Sequence, residues 1–121
     1  MLYYLELDPK IPDLDFESSA FPNASDHLTA IAQRLGLPSH FERFSYAAQN
    51  DLCPPEHRET KTPWFDPQVG IDWLNAMSNH IRSNPTSVPD TERLLSDFAE
   101  CSAALHRAKA EGSKWHFAMD F

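Results

Sequence analysis

The sequence predicts an α+β fold, in which a small sheet formed by the two ends of the chain packs against an antiparallel helix hairpin and one further helix. Two terminal segments alternate in the manner of β-strands, and three segments between them carry the apolar spacing of amphipathic helices. The chain has 121 residues, 41% of them hydrophobic, which is typical of one compact domain over 1–121 and not of a disordered protein.

Both termini have the period of two that is typical of a strand. Over residues 2–7 one face of the predicted strand is fully apolar, and over residues 114–121 one face is mainly aromatic. Each strand needs a partner for its backbone groups, and pairing with the other is the economical solution, although the pattern does not give the direction. The two apolar faces consist of Tyr3, Leu5 and Leu7, and of Trp115, Phe117, Met119 and Phe121.

The first helix is predicted over residues 25–35. Ser25 is a suitable N-cap, and Gly36 can end the helix in a left-handed conformation shortly before Pro38. The apolar residues have the spacing i, i+3, i+4, i+7, which places them on one buried face. They are Leu28, Ile31, Ala32 and Leu35.

A second helix is predicted to begin at Asp66 and to run to about residue 82. Asp66 is a good N-cap, and Pro67 falls at the first helical position, where its missing N–H does no harm. Gly70 lies on the apolar face, which indicates close packing against another element.

A third helix is predicted over residues 91–110, with Asp90 as N-cap and Gly112 just beyond its end. Only residues 84–90 separate it from the second helix. Because so short a connection leaves little room for another arrangement, the two helices are expected to form an antiparallel hairpin.

Three stretches lack a sustained period. Residues 8–23 are predicted to be a loop with at most a short turn at 13–18, and residues 50–63 a long polar, Pro-rich excursion. At 41–46 the pattern favours a third, middle strand over a short helical turn. The conformations of the two long stretches do not follow from the pattern.

The negative charge of the chain is concentrated at its N-terminus. Six carboxylates against the single Lys10 give the first 26 residues a charge of −5, out of a net charge of −8 for the whole chain. Charge focused in one segment creates a local field that steers partners of opposite charge. The carboxylates are Glu6, Asp8, Asp13, Asp15, Glu17 and Asp26.

No pattern predicts a catalytic residue, a cofactor or a metal site. The histidines form no pair at i, i+4, and the nearest ligand cluster, Cys53, Glu56 and His57, has no second group at zinc-finger spacing. The acidic run at 13–17 resembles the first half of a calcium loop but lacks the required glycine and the final glutamate. Cys101 falls on the apolar stripe of the third helix, which predicts a buried structural thiol.

Composition also excludes several classes of partner and location. There is no Lys/Arg cluster of the kind that binds nucleic acid, and no apolar stretch long enough to cross a membrane. The first residues do not have the pattern of a signal peptide, and two cysteines favour reduced thiols over a disulfide. A cytoplasmic protein is therefore expected.

Two aromatic pairs have alternative interpretations. Trp64 and Phe65 directly precede the Asp66 N-cap, and they either staple the helix start onto the core or leave one ring, Trp64, exposed as a binding anchor. Phe16 and Phe21 lie among the N-terminal carboxylates. If their rings are exposed, the segment is a binding surface; if they are buried, it is a charged loop attached to the core.

In size, acidity and predicted architecture the chain resembles short bacterial proteins, among them the immunity proteins that neutralise basic toxin domains. No motif residue carries this resemblance, which implies an inhibitor and transfers no site. The focused charge supports the same hypothesis, a protein-interaction or inhibitor module that binds a basic partner through its acidic N-terminal surface. The residues assigned to partner binding are Asp13, Asp15, Phe16, Glu17 and Trp64.

Two other functions remain as alternatives. One is a small enzyme or ligand-binding protein with a pocket between sheet and helices, using Tyr4, His116 or Asp120 from the outer strand faces. The other is a structural homodimer, because a sheet this small has an edge available for pairing with a second copy. The pattern does not decide between a monomer and a homodimer.

Overall fold

A computed structural model of the chain describes residues 2–37 and 64–120. The strand predicted at 41–46 and the Pro-rich stretch at 50–63 lie outside the described residues. The same holds for Cys53, and therefore for the ligand cluster to which it belongs.

The described residues form an α+β structure of three strands and four α-helices, which confirms the predicted fold class. The sheet is antiparallel throughout, in the order β2-β1-β3, so the two terminal strands pair directly as predicted. In chain order the elements are β1 (Leu2–Asp8), β2 (Glu17–Ser18), α1 (Ala20–Asn23), α2 (Ser25–Leu35), α3 (Pro67–Ser83), a 3₁₀ turn (Pro85–Ser87), α4 (Thr91–Ala110) and β3 (Lys114–Asp120).

The prediction of a loop over 8–23 is wrong in its second half, where β2 and α1 lie. β2 has only two residues, and its place depends on pairing with β1, where Tyr3 lies opposite Ser18. α1 has four residues and is followed almost at once by α2. Elements this short contain too few residues to show a hydrophobic period in the sequence. They are stabilised by contacts with the rest of the fold.

The ends of α2 differ in how well the sequence predicts them. Gly36 ends the helix with φ of 71°, the left-handed conformation that its lack of Cβ allows. At the other end the N-cap is Ala24 and not Ser25, because α1 leads straight into α2 and Leu28 N–H already donates to the Ala24 carbonyl at 2.9 Å.

The start of α3 is as predicted. The Asp66 carboxylate accepts a hydrogen bond from Gln68 N–H at 2.8 Å, and Pro67 occupies the first position. α4 has the predicted bounds, but Asp90 makes no side-chain cap and adopts a left-handed conformation with φ of 50°. Its carbonyl instead accepts from Leu94 N–H at 3.0 Å, the first hydrogen bond of the helix.

The helix hairpin packs against one face of the sheet and forms the core with it. The two central aromatics of β3 meet edge to face, with ring centroids 5.1 Å apart, and Phe21 of α1 joins both Phe98 of α4 and Phe117. Gly70 of α3 lies so close to Trp115 that a Cβ there would be 2.4 Å from the indole. The close packing predicted at Gly70 is therefore confirmed.

Candidate functional site

The two faces of the sheet have different chemistry. Because side chains alternate along a strand, the residues between the core positions of β1 and β3 point to the opposite face. In the antiparallel register Tyr4 lies opposite Ala118 and Glu6 lies opposite His116. This second face, called here the polar face, is defined by these four residues.

A histidine and a glutamate form the centre of the polar face. His116 Nε2 lies 2.7 Å from Glu6 Oε2, and the imidazole is fully buried while 42% of the Glu6 side chain is exposed. An ionised carboxylate can only accept, so Nε2 is the donor in this contact. Because the imidazole is out of reach of solvent, Glu6 is the member of the pair that an approaching molecule can touch.

Trp64 covers this pair. Phe65 forms an antiparallel bridge to Trp115, with its N–H donating to the Trp115 carbonyl at 2.9 Å, so Phe65 and Trp64 fall on opposite faces of the sheet. The Phe65 ring packs on Trp115, and the Trp64 ring lies 4.3 Å from His116 between centroids.

Phe65 and Trp64 thus pack on different residues, Trp115 and His116. Phe65 attaches the start of α3 to the core by packing on Trp115. In a standard hydrophobic staple it would instead contact the fourth residue of the helix, but that residue is Gly70. Trp64 and Phe65 are both partly exposed, so the role of Trp64 as a binding anchor stays a prediction.

A cleft of about 570 Å³ lies along β1 beside Trp64; it is called here the Trp64 cleft. Its lining contains an aromatic pair, three carboxylates and one lysine, and none of its described lining residues belongs to α3 or α4. It is therefore not the pocket between sheet and hairpin expected for an enzyme. The described lining consists of Tyr4, Leu5, Glu6, Leu7, Asp8, Lys10, Ile11, Pro12, Leu14, Asp15 and Trp64.

A second, smaller cleft adjoins the first and is more acidic. It has a volume of about 440 Å³ and shares Tyr4, Leu5 and Asp15 with the Trp64 cleft. Glu17 of β2 and Glu100 of α4 complete its charged lining, so three carboxylates converge there from different parts of the chain. The carboxylates of the two clefts, Glu6, Asp8, Asp15, Glu17 and Glu100, are called here the acidic surface.

Asp13 does not belong to this surface. Its carboxylate accepts a hydrogen bond from Arg107 Nη2 of α4 at 2.7 Å, and Arg107 also contacts Glu111 at 3.2 Å. The hydrogen bond from Arg107 lowers the pKa of Asp13, and the same bond raises the pKa of Arg107. Asp13 therefore ties the N-terminal segment to α4.

Phe16 and Phe21 are both buried. Phe16 is 6% exposed and Phe21 is fully buried, with their ring centroids 5.6 Å apart. By the alternative stated for this pair, the rings attach the acidic segment to the core; Phe16 also belongs to the lining of the smaller cleft. Asp15 and Glu17, on either side of Phe16, are exposed.

One stripe of α4 faces the acidic segment. Asp97 accepts from the Ser18 hydroxyl at 2.6 Å, and Arg93 donates to the Ser19 hydroxyl at 2.6 Å. Asp97 is therefore engaged with β2 through a partly buried hydrogen bond. Positions 93, 97, 100 and 107 share one helical face, and this spacing marks a polar stripe of α4 in the sequence.

Cys101 is a free, fully buried thiol, as predicted. Burial raises its pKa, and the nearby charge of Asp97 adds to the rise, so the thiol is kept in its unreactive form. Within residues 2–37 and 64–120 no group of three or more acidic, histidine or cysteine side chains is placed to hold a metal ion.

Comparison of the chain with protein-family models, with curated proteins and with solved structures gave no match. Among the helices of the described residues, none combines the length and apolar character needed to cross a bilayer.

Proposed function

We propose that the protein is a cytosolic interaction module that binds a basic protein partner through its acidic surface, as an inhibitor or adaptor. The observation that carries the proposal is the convergence of Asp15, Glu17 and Glu100 around one cleft, next to a second cleft that holds Glu6 and Asp8. Carboxylates from separate elements have been brought together by the fold, despite their mutual repulsion.

Within the described lining of the two clefts, little of the negative charge is offset. Among the described lining residues of the two clefts, Lys10 is the one cation against five carboxylates. Such a surface accelerates encounter with a positively charged partner and discriminates against acidic ones. Asp13 contributes little to it, since its charge is already engaged by Arg107.

Trp64 adds an aromatic anchor to the surface. Its ring is partly exposed at the edge of the cleft and rests on the buried His116, which limits its movement. Tryptophan is enriched among the residues that dominate binding energy at protein interfaces. The proposed surface thus combines steering charge with one rigid apolar contact.

Charge reversal with a matched control tests the proposal. The partner is recovered with the full chain as bait and purified, and association rates are then measured over a range of salt concentrations. Asp15→Lys with Glu17→Lys should slow association at least about tenfold at low salt and flatten its salt dependence. Asp26→Lys with Glu92→Lys makes the same charge change at exposed residues that line neither cleft, and should have a much smaller effect.

Equal rates for the wild-type chain and the Asp15/Glu17 variant would contradict the proposal. Equal slowing by both double variants would also count against it, because binding would then respond to net charge and not to this surface. Asp13 is left unchanged in these variants, since a lysine there would lie against Arg107 and perturb the fold.

A further inference from the structure

The Trp64 cleft combines features that recognise one kind of side chain. Its described lining brings two aromatic rings, Trp64 and Tyr4, together with three carboxylates and a set of aliphatic groups. A planar cation with a hydrocarbon stem matches each of these features, because it can stack on a ring, pair with a carboxylate and bury its methylene groups. We infer that this cleft receives an arginine side chain of the basic partner; the inference rests on the function proposed above.

Glu6 is the carboxylate best placed to pair with a guanidinium. Its Oε2 is held 2.7 Å from Nε2 of the fully buried His116, which restricts the rotamers of the Glu6 side chain before any ligand arrives. A carboxylate has acceptor capacity on both oxygens, so this contact leaves Glu6 able to accept further N–H groups. A pre-oriented carboxylate loses less entropy on binding than a mobile one.

The aromatic side of the cleft is also fixed in advance. Trp64 lies on the His116 ring at 4.3 Å, and the neighbouring Phe65 is bound to Trp115 by two backbone hydrogen bonds. Tyr4 stands in β1, directly opposite Ala118 of β3. Glu6 and Tyr4 therefore come from strand β1, and Trp64 adjoins a residue that is bridged to β3, so these groups are held more accurately than on a free loop.

The size and charge of the cleft distinguish arginine from other ligands. About 570 Å³ accommodates a long side chain together with flanking backbone, whereas an anion would face the carboxylates Glu6, Asp8 and Asp15 with only Lys10 in support. Lysine carries the same charge, but its ammonium stacks less well and cannot form a bidentate pair with a carboxylate. The cleft should therefore prefer arginine to lysine.

Short capped peptides test this inference without the partner. The probes are acetyl-Gly-Arg-Gly-amide, the lysine analogue, and the citrulline analogue, which keeps the shape of arginine without its charge. The indole N–H of Trp64 is followed in two-dimensional NMR spectra of the full chain, and is assigned by its loss in Trp64→Phe. Trp73 and Trp115 are buried, so their indole signals report the integrity of the fold in every sample.

The arginine peptide should shift the Trp64 indole signal with saturation in the low millimolar range, about −3 to −4 kcal/mol of binding free energy. The lysine peptide should bind at least about threefold more weakly, and the citrulline peptide should cause no saturable shift. Glu6→Gln should weaken arginine binding about tenfold, and the matched exposed Asp26→Asn should leave it unchanged.

Three results would overturn the inference. The first is no Trp64 shift with about 50 mM arginine peptide, which is far above the low millimolar range expected for binding. The others are equal binding of the citrulline and arginine peptides, or an unchanged affinity for the arginine peptide in Glu6→Gln. If Glu6→Gln disturbs the Trp73 and Trp115 signals, Asp15→Asn at the rim of the same cleft replaces it, with the same expected direction. A failure here combined with slowed association of the Asp15/Glu17 variant would leave the proposed function standing and remove only the arginine pocket.

Discussion

The two faces of the sheet are buried by different means. On the core face, the Phe117 ring of β3 packs edge to face on Phe21 of α1, and the Trp115 ring packs on Phe117 and lies against Gly70 of α3. Burial there raises the pKa of Tyr3 to about 12. On the polar face, His116 is as deeply buried as those rings, but its neighbours are the Glu6 carboxylate and the Trp64 indole.

This difference decides how each face tolerates change. The core face is held by many small dispersion contacts and by the hydrophobic effect, so its stability depends on shape. On the polar face a buried imidazole would cost free energy unless its hydrogen bonds are made, so its stability depends on specific partners. Glu6, the exposed member of the pair with His116, lines the cleft where binding is proposed.

The largest effect is expected from Trp115→Ala. Trp115 is 1% exposed, its indole N–H donates to the Asp66 carbonyl at 3.0 Å, and its ring fills the space at Gly70. Its removal should cost about 3–5 kcal/mol of unfolding free energy, measured by urea denaturation. Trp64→Ala is the matched change on the polar face and should cost less than about 2 kcal/mol, since that ring is partly exposed. Equal losses would contradict the assignment of the core to one face.

Gly70→Ala should be the next most damaging change. In most helices this substitution stabilises, because alanine has the better helix propensity. Here the added Cβ would lie 2.4 Å from Trp115 and 2.7 Å from Leu105, so the expected result is a loss of about 1–3 kcal/mol. Asn75→Ala, at an exposed position of the same helix, serves as the control and should be neutral or slightly stabilising. A gain in stability from Gly70→Ala would show that Trp115 can move aside.

On the polar face, Glu6→Ala should cost about 1–2 kcal/mol, because it removes the acceptor 2.7 Å from the buried His116 Nε2. The comparison is Asp8→Ala, which removes an exposed carboxylate of the same strand and should change the unfolding free energy by less than about 0.5 kcal/mol. Urea denaturation followed by circular dichroism measures both. Similar values for the two variants would mean that His116 does not depend on Glu6.

The elements with local signals could be predicted from the sequence, and those without could not. Gly36 and the Asp66-Pro67 pair mark helix ends by their own conformational preferences, so their positions were predictable to within a residue. β2 and α1 are too short to have a period and depend on contacts with β1 and α4. Their absence from the prediction reflects stabilisation by tertiary structure.

The candidate site shows the same division. Asp15 and Glu17 are exposed and Trp64 is partly exposed, in agreement with their assignment to a surface. Such an assignment needs only the charge of a residue and its place in the chain, which the sequence gives directly. Predicting the contact between Glu6 and His116 would require the direction and register of two strands whose residues are 110 positions apart. The sequence pattern of either strand gives neither. Glu100 belongs to the acidic surface because α4 packs against the N-terminal segment, a tertiary contact that the sequence does not reveal.

The smallest effect is expected from Asp13→Asn, which belongs to neither face and tests whether the exposed tie to α4 matters. Because the Arg107 hydrogen bond lowers the pKa of Asp13 in the folded chain, the unfolded chain binds the proton more readily. The tie therefore stabilises the fold above the ordinary carboxyl pKa of 3.8, and this contribution is lost as the pH falls through the lower folded value.

Asp13→Asn should consequently be slightly less stable than the wild-type chain at pH 7, and the difference should shrink below pH 3.8 and vanish at still lower pH. Urea denaturation at a series of pH values measures this difference, and about 1 M salt at pH 7 should reduce it because both side chains are exposed to solvent. Asp15→Asn, in the same segment but outside the ion pair, serves as the control. In a double-mutant cycle with Arg107→Gln, Asp13→Asn should show a coupling energy and Asp15→Asn should show none. A difference that persists unchanged at low pH would mean that Asp13 supports the fold through its backbone conformation and not through its charge.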